Sequence, residues 1–411
     1  MSIKLLGAMP VTATLLLVAA ACAPPPSAPS SVPACPAVPA SAPGPDSQNP
    51  ISAWGIDGAG YSVVVIGGVA YVGGVFQNAI SPAGVKVPRQ NLAAFCLADG
   101  SLLTSFVANF NNGPRGGSGF EPGGVRALTT DGSSLYVGGD FTTLNGQPVN
   151  RLVKLNPTTG APIAGFSPAD VPSVVYALDY FGGKVYAGGD FSVGAPAAKK
   201  GASFDAATGA FAGWNPDADA KINALEVSPD GQYVFIGGSF ATVGGAAHDK
   251  LARTAAAGGT PSPVSFGQNG GVRGRVQAII LSLAVDTDNV SAFAGAGPTE
   301  PRGSNGGNKA ISYAPDGSER WKVTFDGDGQ AVLPIGGVLY AGFHDGYRGN
   351  HFLKLLGLNP STGAVTSFSP TIIGGVLGVR ALAAGSNRLV AVGDFSSVGT
   401  THKLHAVAIF P

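Results

Sequence analysis

Charge is scarce in this chain. Lys, Arg, Asp and Glu make up 12% of its 411 residues and the formal net charge is zero, where a soluble domain ordinarily carries about 25% charged residues. Without a basic patch to neutralise phosphates, nucleic acid is excluded as a partner. Glutamate is limited to Glu121, Glu226, Glu300 and Glu319, and no Gly-x-Ser-x-Gly elbow occurs. The histidines are His248, His344, His351, His402 and His405. The last two have opposite parity and would face opposite sides of a shared strand. Residues 286–289 (DTDN) and 326–329 (DGDG) faintly resemble calcium loops but lack a twelfth-position Glu, and acidic turns explain them better. No metal site or cofactor is implied. Cysteine is limited to Cys22, Cys35 and Cys96.

What the chain does have is a repeated box, Tyr-Val-Gly-Gly-Asp-Phe. Its clearest copies start at Tyr136 and Tyr186, a third at Phe235 has Ser239 for the Asp, and degenerate copies start at Tyr71, Phe293, Tyr340 and Val390. A strand-rich period of about fifty residues marks a radial or stacked array. One repeat reads as four short strands. Residues 125–128 (VRAL) and 135–139 (LYVGG) flank a turn, residues 151–155 (RLVKL) alternate at period two, and a fourth strand ends at Phe166. Between the third and fourth strands Asn156-Pro157-Thr158-Thr159-Gly160 turns the chain, and similar turns recur at Gly100, Gly209, Gly317 and Gly363. An aromatic closes the fourth strand at Phe106, Phe166, Trp214, Phe266, Trp321 and Phe368.

The last repeat stops at Pro411, after its third strand, while Ile51-Ser52-Ala53-Trp54 precedes the first box with no repeat of its own. The expected fold is therefore an all-β, seven-bladed β-propeller of four-stranded antiparallel blades. Its ring would be closed by this N-terminal strand in the last blade, which removes exposed sheet edges. A linear β-solenoid is the alternative, but it gives the matching termini no purpose.

These boxes resemble the bacterial delta-60 repeat, a β-propeller family without an assigned function. The resemblance covers residues 51–411, is strongest over 135–240, and weakens at Ala296 and Phe343, which stand where the second Gly belongs. It implies a propeller, often in an extracytoplasmic setting, and no reaction, cofactor or agreed ligand. Similar boxes in fungal cell-polarity marker proteins are a weaker likeness.

The domain plan is a lipoprotein signal peptide over 1–21, a spacer over 22–50 and the propeller over 51–411. Lys4, an apolar stretch at 15–18 and Ala19-Ala20-Ala21-Cys22 form the signal, with Cys22 the expected lipidation site. Ordinary secretion with cleavage nearby and an uncleaved anchor are the alternatives, the apolar run being short and interrupted by Pro10 for a membrane span. Residues 23–50, rich in Pro, Ala and Ser, read as an extended spacer that holds the propeller clear of a membrane. Ala23 after Cys22 resembles lipoproteins exported past the inner membrane, to the outer membrane or cell surface. Cys35 and Cys96 can pair in an oxidising compartment or remain apart; the sequence leaves this open.

Aligning the innermost strands exposes a polar column, Ser62, Arg126, Tyr176, Asn223, Gln277, Gln330 and Arg380, each followed by Ala or Val. Near the central channel, two Arg with amides and a Tyr suit an anionic or sugar-like ligand. Arg126 and Arg380 are expected to flank Ser62 across a small gap. A ring that only solvates the channel or bonds neighbouring blades is the competing reading. Asp140, Asp190 and Asp394, with Asp345 shifted by one, recur by repetition and are expected to cap the loop after the box strand. The column holds no carboxylate pair for glycoside hydrolysis, although Glu121 and Glu300 fall in or beside insertions at 108–124 and 297–307. The functional expectation is a lipid-anchored, monomeric, non-enzymatic binding or assembly scaffold in the bacterial cell envelope, recognising an envelope protein or glycan. The alternatives are an extracytoplasmic hydrolase or lyase acting on polysaccharide, favoured by an acidic pair at the channel mouth, and a structural surface-coat component.

Overall fold

Seven sheets follow one plan, each beginning with a strand that the box strand pairs antiparallel. The computed structural model describes residues 35–38, 47–111, 124–168, 171–194, 197–264, 266, 279–286, 292–297, 308–399, 402–403 and 405–411. Cys22, Gln277, Glu121 and Glu300 lie outside them. Among the described residues there are strands and no helix. In chain order, the inner strands of sheets 1 to 7 are Ala59–Ile66, Val125–Thr130, Val175–Phe181, Ile222–Val227, Ile279–Val285, Gly329–Ile335 and Val379–Gly385. Each box supplies the middle strand, for example Leu135–Gly139 in sheet 2, and a third strand such as Leu152–Leu155 follows. Every inner strand packs against that of the next sheet, and the inner strand of sheet 7 packs against that of sheet 1.

The box aromatics and the closing aromatics, separate features of the sequence, meet in the core. Tyr71 lies edge-on to Phe106 at 5.1 Å, Tyr136 to Phe166 at 5.6 Å, Tyr186 to Trp214 at 5.6 Å and Tyr340 to Phe368 at 5.1 Å. Such pairs add about 0.5–1.5 kcal/mol each beyond the area they bury. Two box hydroxyls also reach the next sheet. Tyr71 donates to the Pro157 carbonyl at 2.7 Å and Tyr136 to that of Ala206 at 2.9 Å. The box thus fixes both the core of its own sheet and the seam with its neighbour.

The expected fourth strand is mostly reduced. Among the described residues only sheet 5 has a full fourth strand, Glu319–Thr324. Elsewhere it shrinks to single bridges, such as Phe95 to Leu102, Leu155 to Pro162, Phe204 to Phe211, Thr254 to Pro261 and Leu358 to Val365. Pro162 and Pro261 offer no N–H, and Gly165 and Gly213 sit at positive φ, so a longer ladder cannot form there. Sheet 5 instead carries the strand-competent run ERWKVT.

Each bridge is followed by one conserved bond geometry. Leu103 donates to Ala94 O at 2.8 Å, Ile163 to Lys154 O at 2.8 Å, Ala212 to Ser203 O at 2.7 Å, Ser262 to Arg253 O at 2.7 Å and Thr366 to Gly357 O at 2.8 Å. In sheet 7 the third strand is Val407–Phe410, and Ile51 donates to Ile409 O at 2.9 Å. The seam with the next sheet repeats as well. Val107 donates to Thr159 O, Ser167 to Thr208 O and Asn215 to Gly258 O, and Trp54 donates to Gly100 O at 2.8 Å. Gly100 has no room for a Cβ because Ala53 lies against it, as Val107 lies against Gly160. Cys35 and Cys96 form a disulfide, with Cα atoms 5.3 Å apart, that joins the spacer to the third strand of sheet 1.

Candidate functional site

The two box glycines explain how polar side chains come to face the centre. The first one makes room for the next sheet. A Cβ on Gly138 would strike Val175 and Leu178, one on Gly188 would strike Ile222 and Leu225, and one on Gly237 would strike Ile280. The second one makes room within its own sheet. Gly74, Gly139, Gly189, Gly238 and Gly393 lie against the carbonyls of Ala59, Gly124, Val174, Lys221 and Gly378, at the entry to the inner strand. There every inner strand is bulged, leaving one residue unpaired: Tyr61, Arg126, Tyr176, Asn223, Leu281, Gln330 and Arg380. A bulge re-aims its side chain. Here it turns a position that would pack between sheets toward a central cavity of about 660 Å³.

The bulges correct the polar column in two places. In sheet 1 the bulged residue is Tyr61, and Ser62 occupies the position of Ala127 and Ala177. In sheet 5 it is Leu281, not Gln277. A sequence signal for Tyr61 exists. Arg126, Tyr176, Gln330 and Arg380 each stand ten positions before the box start (126 to 136, 176 to 186, 330 to 340, 380 to 390), and the same step back from Tyr71 reaches Tyr61. With the register corrected, the next residue is always Ala or Ser. The one after is always aliphatic: Val63, Leu128, Leu178, Leu225, Leu283, Val332 and Leu382, all lining the cavity.

The expected gap between the two arginines is filled. Tyr61 lies between them, with each guanidinium carbon 4.5 Å from its ring centroid. Cation–π contacts of this kind contribute about 0.5–2 kcal/mol each. The guanidinium groups of sheets 2 and 7 thus both pack on one ring of sheet 1. Arg126 is tied to Asp140, Nε to Oδ1 at 3.4 Å. Arg380 differs. Its Nε is buried without a hydrogen-bond partner, and burial holds its guanidinium below the ordinary value. Ser62 Oγ and Gln330 Oε1 are buried and unpartnered too, in residues 8% exposed that line the same cavity. Tyr176 lines the cavity beneath Lys221, whose Nζ is 5.6 Å from the ring. Asn223 is diverted, its Nδ2 bonding Ile280 O at 3.3 Å.

The box acids are structural, but they cap a different loop from the one expected. Asp140 Oδ1 accepts from Gly124 N at 2.7 Å, and the Asp394 carboxylate accepts from the N–H groups of Val376, Leu377 and Gly378. These are the residues before the inner strand, so the acid pins the entry to the bulge. Asp190 pairs with Lys200 at 2.6 Å. Of the DGDG segment, Asp326 accepts from Gly349 N at 2.8 Å and Asp328 lies 3.3 Å from His344, so both carboxylates are engaged by protein groups.

One acidic pair escaped the sequence reading because it lies three residues beyond the bulge, outside the column. Asp179 accepts from Val227 N and Tyr180 N, each at 2.8 Å, and Glu226, which lines the cavity, accepts from Val285 N. Burial pushes Asp179 up to about 6, and burial with the Asp179 charge pushes Glu226 up to about 8. Each carboxyl stitches its inner strand to the next one, satisfying backbone N–H groups the sheets leave unpaired.

A family model described as a domain of unknown function (DUF5122) beta-propeller matches residues 128–162. Among solved structures, the WD40 beta propeller domain of Doa1 is similar at TM-score 0.55 and 11% identity, covering 88% of this chain and 96% of that one. The computationally designed Ika8 protein is similar at TM-score 0.51 and 14% identity, covering 89% and 99%. No curated protein matches. Identities this low speak to fold alone, and on that point the all-β sheets, the partial family match and the likeness to the WD40 propeller agree: the chain folds as a β-propeller.

Proposed function

We propose that this protein is an exported, lipid-anchored, seven-bladed propeller, a non-enzymatic binding or assembly scaffold in the bacterial cell envelope. The observation that carries the binding role is the ring of bulges. Seven inner strands each give up a ladder position where a side chain can be turned inward, and on two neighbouring strands the residue there, Gln330 or Arg380, has a buried polar atom without a protein partner. Seven blades closed between the termini are supported by the Ile51–Ile409 and Trp54–Gly100 bonds, which repeat those within and between the other sheets. Residues 51–54 then complete the last blade. Export is supported by the Cys35–Cys96 disulfide, a bond favoured by oxidising compartments, and anchoring by the lipobox-like segment ending at Cys22.

Mass spectrometry of the mature chain tests the anchor. A diacylated N-terminal Cys22, with release of the Cys22→Ser chain from membranes, is expected; an unacylated N-terminus elsewhere refutes it. Crosslinked capture from solubilised envelope tests the scaffold, and the expected result is one saturable protein or glycan partner. The Asp179–Glu226 pair favours a second reading, a polysaccharide hydrolase or lyase, because paired carboxyls with separated proton affinities can divide acid and base roles. Their bonds to backbone N–H groups weigh against it. Turnover of an envelope polysaccharide that vanishes in Glu226→Gln would reverse that judgement.

A further inference from the structure

In sheet 6 a histidine stands where sheets 2 and 7 have the box acid. The N–H of His344 donates to Asp328 O at 3.3 Å, as that of Asp140 does to Gly124 O at 3.3 Å and that of Asp394 to Gly378 O at 3.2 Å. Carboxylates stand instead on both sides of this position. Asp328 replaces the glycine at the strand entry, and Asp345 follows His344 in the chain. The imidazole lies between them, Nε2 3.3 Å from Asp328 Oδ2 and Nδ1 3.1 Å from Asp345 Oδ2. The Asp345 contact is held by charge rather than by an aligned hydrogen bond.

Asp345 opens a hairpin that runs to Phe352. Tyr347 and Asn350 exchange backbone bonds at 3.2 and 3.0 Å around Arg348-Gly349. Asp345 and Arg348 hold φ of 61° and 52°, a region that residues with a Cβ seldom adopt. Such a hairpin needs fastening from outside. Asp326 supplies part of it, accepting from Gly349 N at 2.8 Å and donating its own N–H to Gly346 O at 2.9 Å. The His344–Asp345 contact supplies another part, and it depends on a side chain that titrates near neutrality. Burial lowers the proton affinity of His344, but Asp328 and Asp345 outweigh it and leave that affinity above the ordinary value. Sheet 7 packs here through Gly378, and its charged groups are engaged elsewhere. Asp394 accepts from three backbone N–H groups, and Arg380 is drawn to Asp394 and Asp328. Near the hairpin, Lys354 bonds Gly374 O and Gly375 O, and Arg348 lies over the Tyr347 ring at 5.1 Å.

We propose that His344 is a proton-operated latch on the hairpin 345–352, clamping Asp345 when charged and releasing it when the proton leaves to water. A neutral imidazole has one N–H for two carboxylates. Asp328 also faces Arg380, and its side chain is 25% exposed against 49% for Asp345. The N–H therefore stays with Asp328, a lone pair turns on Asp345, and water takes over that carboxylate. The hairpin is then free to leave its two positive-φ positions. The latch governs how the exposed Arg348 and Phe352 are presented at the bulge end of the sheets. It goes beyond the scaffold reading and stands without it.

The test is hydrogen–deuterium exchange of the full chain, read by mass spectrometry from about pH 5.5 to about pH 9 and corrected for the intrinsic exchange rate at each pH. Protection of peptides spanning 344–353 should fall by about tenfold or more across that range, while the box strand Leu135–Gly139 stays unchanged as the internal reference. His344→Gln and Asp345→Asn should each abolish the dependence, the first by removing the proton and the second by removing the charge it attracts. His351→Gln should keep it, although His351 Nδ1 lies 2.8 Å from Asp345 O. Should His344→Gln fail to fold, Asp345→Asn carries the test, because that side chain is half exposed. Protection of the hairpin that ignores pH, an equal change in residues 135–139, a dependence that survives in His344→Gln or Asp345→Asn, or one lost in His351→Gln overturns the proposal.

Discussion

The backbone N–H of Ile51 donates to the carbonyl of Ile409 at 2.9 Å, joining the start of the repeat region to its last strand. The bond copies that between Ile163 and Lys154 in sheet 2, where both partners belong to one repeat. An ordinary hydrogen bond adds about 0.5–1.5 kcal/mol, but this one also holds the segment that covers the third strand of sheet 7. Ile51→Pro removes the donor and should lower stability by about 1–3 kcal/mol. Deleting residues 51–54 should do more, exposing a strand edge that promotes association. Thermal unfolding with light scattering measures both effects, and a deletion variant that stays monomeric with unchanged Tm contradicts them.

The Cys35–Cys96 disulfide closes a loop with a sequence separation of 61. Cross-links of that span stabilise by about 2–4 kcal/mol, chiefly by restricting the unfolded chain. Cys35→Ser should therefore lower stability by that amount and free the spacer near residue 35 for proteolysis, leaving the sheets intact by circular dichroism. Chemical denaturation of the variant and the parent chain decides it. Equal midpoints would mean the bond does not form in the purified protein.

The architecture was legible because the box repeats a physical necessity in each blade. Tyr136 and Tyr186 recur since an aromatic must meet the closing ring, and Gly138 and Gly139 recur since two separate neighbours press on them. The site was only half legible. Arg126, Tyr176, Asn223, Gln330 and Arg380 of the polar column fall on bulges, and four of them stand at a fixed offset of ten from the box. Tyr61 was missed because Ser62, beside it, is also polar and aligns by eye. Asp179 and Glu226 were missed because their role is to reach the next strand's backbone, and only the sheet-to-sheet packing reveals that relation.

Glycine at the second box position is tested by substitution. A Cβ on Gly139 would meet the Gly124 carbonyl and the Phe141 ring, neither of which can withdraw without disturbing the bulge at Arg126. Gly139→Ala should cost about 1–3 kcal/mol. Gly68→Ala is the control, since nothing lies near its added Cβ, and it should change stability by no more than about 0.5 kcal/mol. Similar losses for both variants would show that the box glycine matters only through chain entropy.

The acidic stitch predicts a pH dependence with a definite sign. Asp179 and Glu226 have folded values of about 6 and about 8, above their ordinary values of 3.8 and 4.5. The folded state therefore binds protons more tightly than the unfolded one between those limits. The stability linked to these groups is fully present below the ordinary carboxylate range and is lost as pH rises toward 8. Other titrations overlap this window. His344 is raised, because Asp328 and Asp345 outweigh the opposing effect of burial, and acts in the same direction; His248 is lowered by burial and acts in the opposite one. The comparison must therefore be between the parent and Glu226→Gln, whose amide keeps an oxygen for Val285 N but cannot ionise. At pH 8 to 9 the variant should be the more stable by about 1–2 kcal/mol, and near pH 5 the two should converge. Urea midpoints across that range measure the difference. A variant that is less stable at pH 8 would mean the ionised Glu226 is itself stabilised in the folded protein, and that Asp179 does not oppose it.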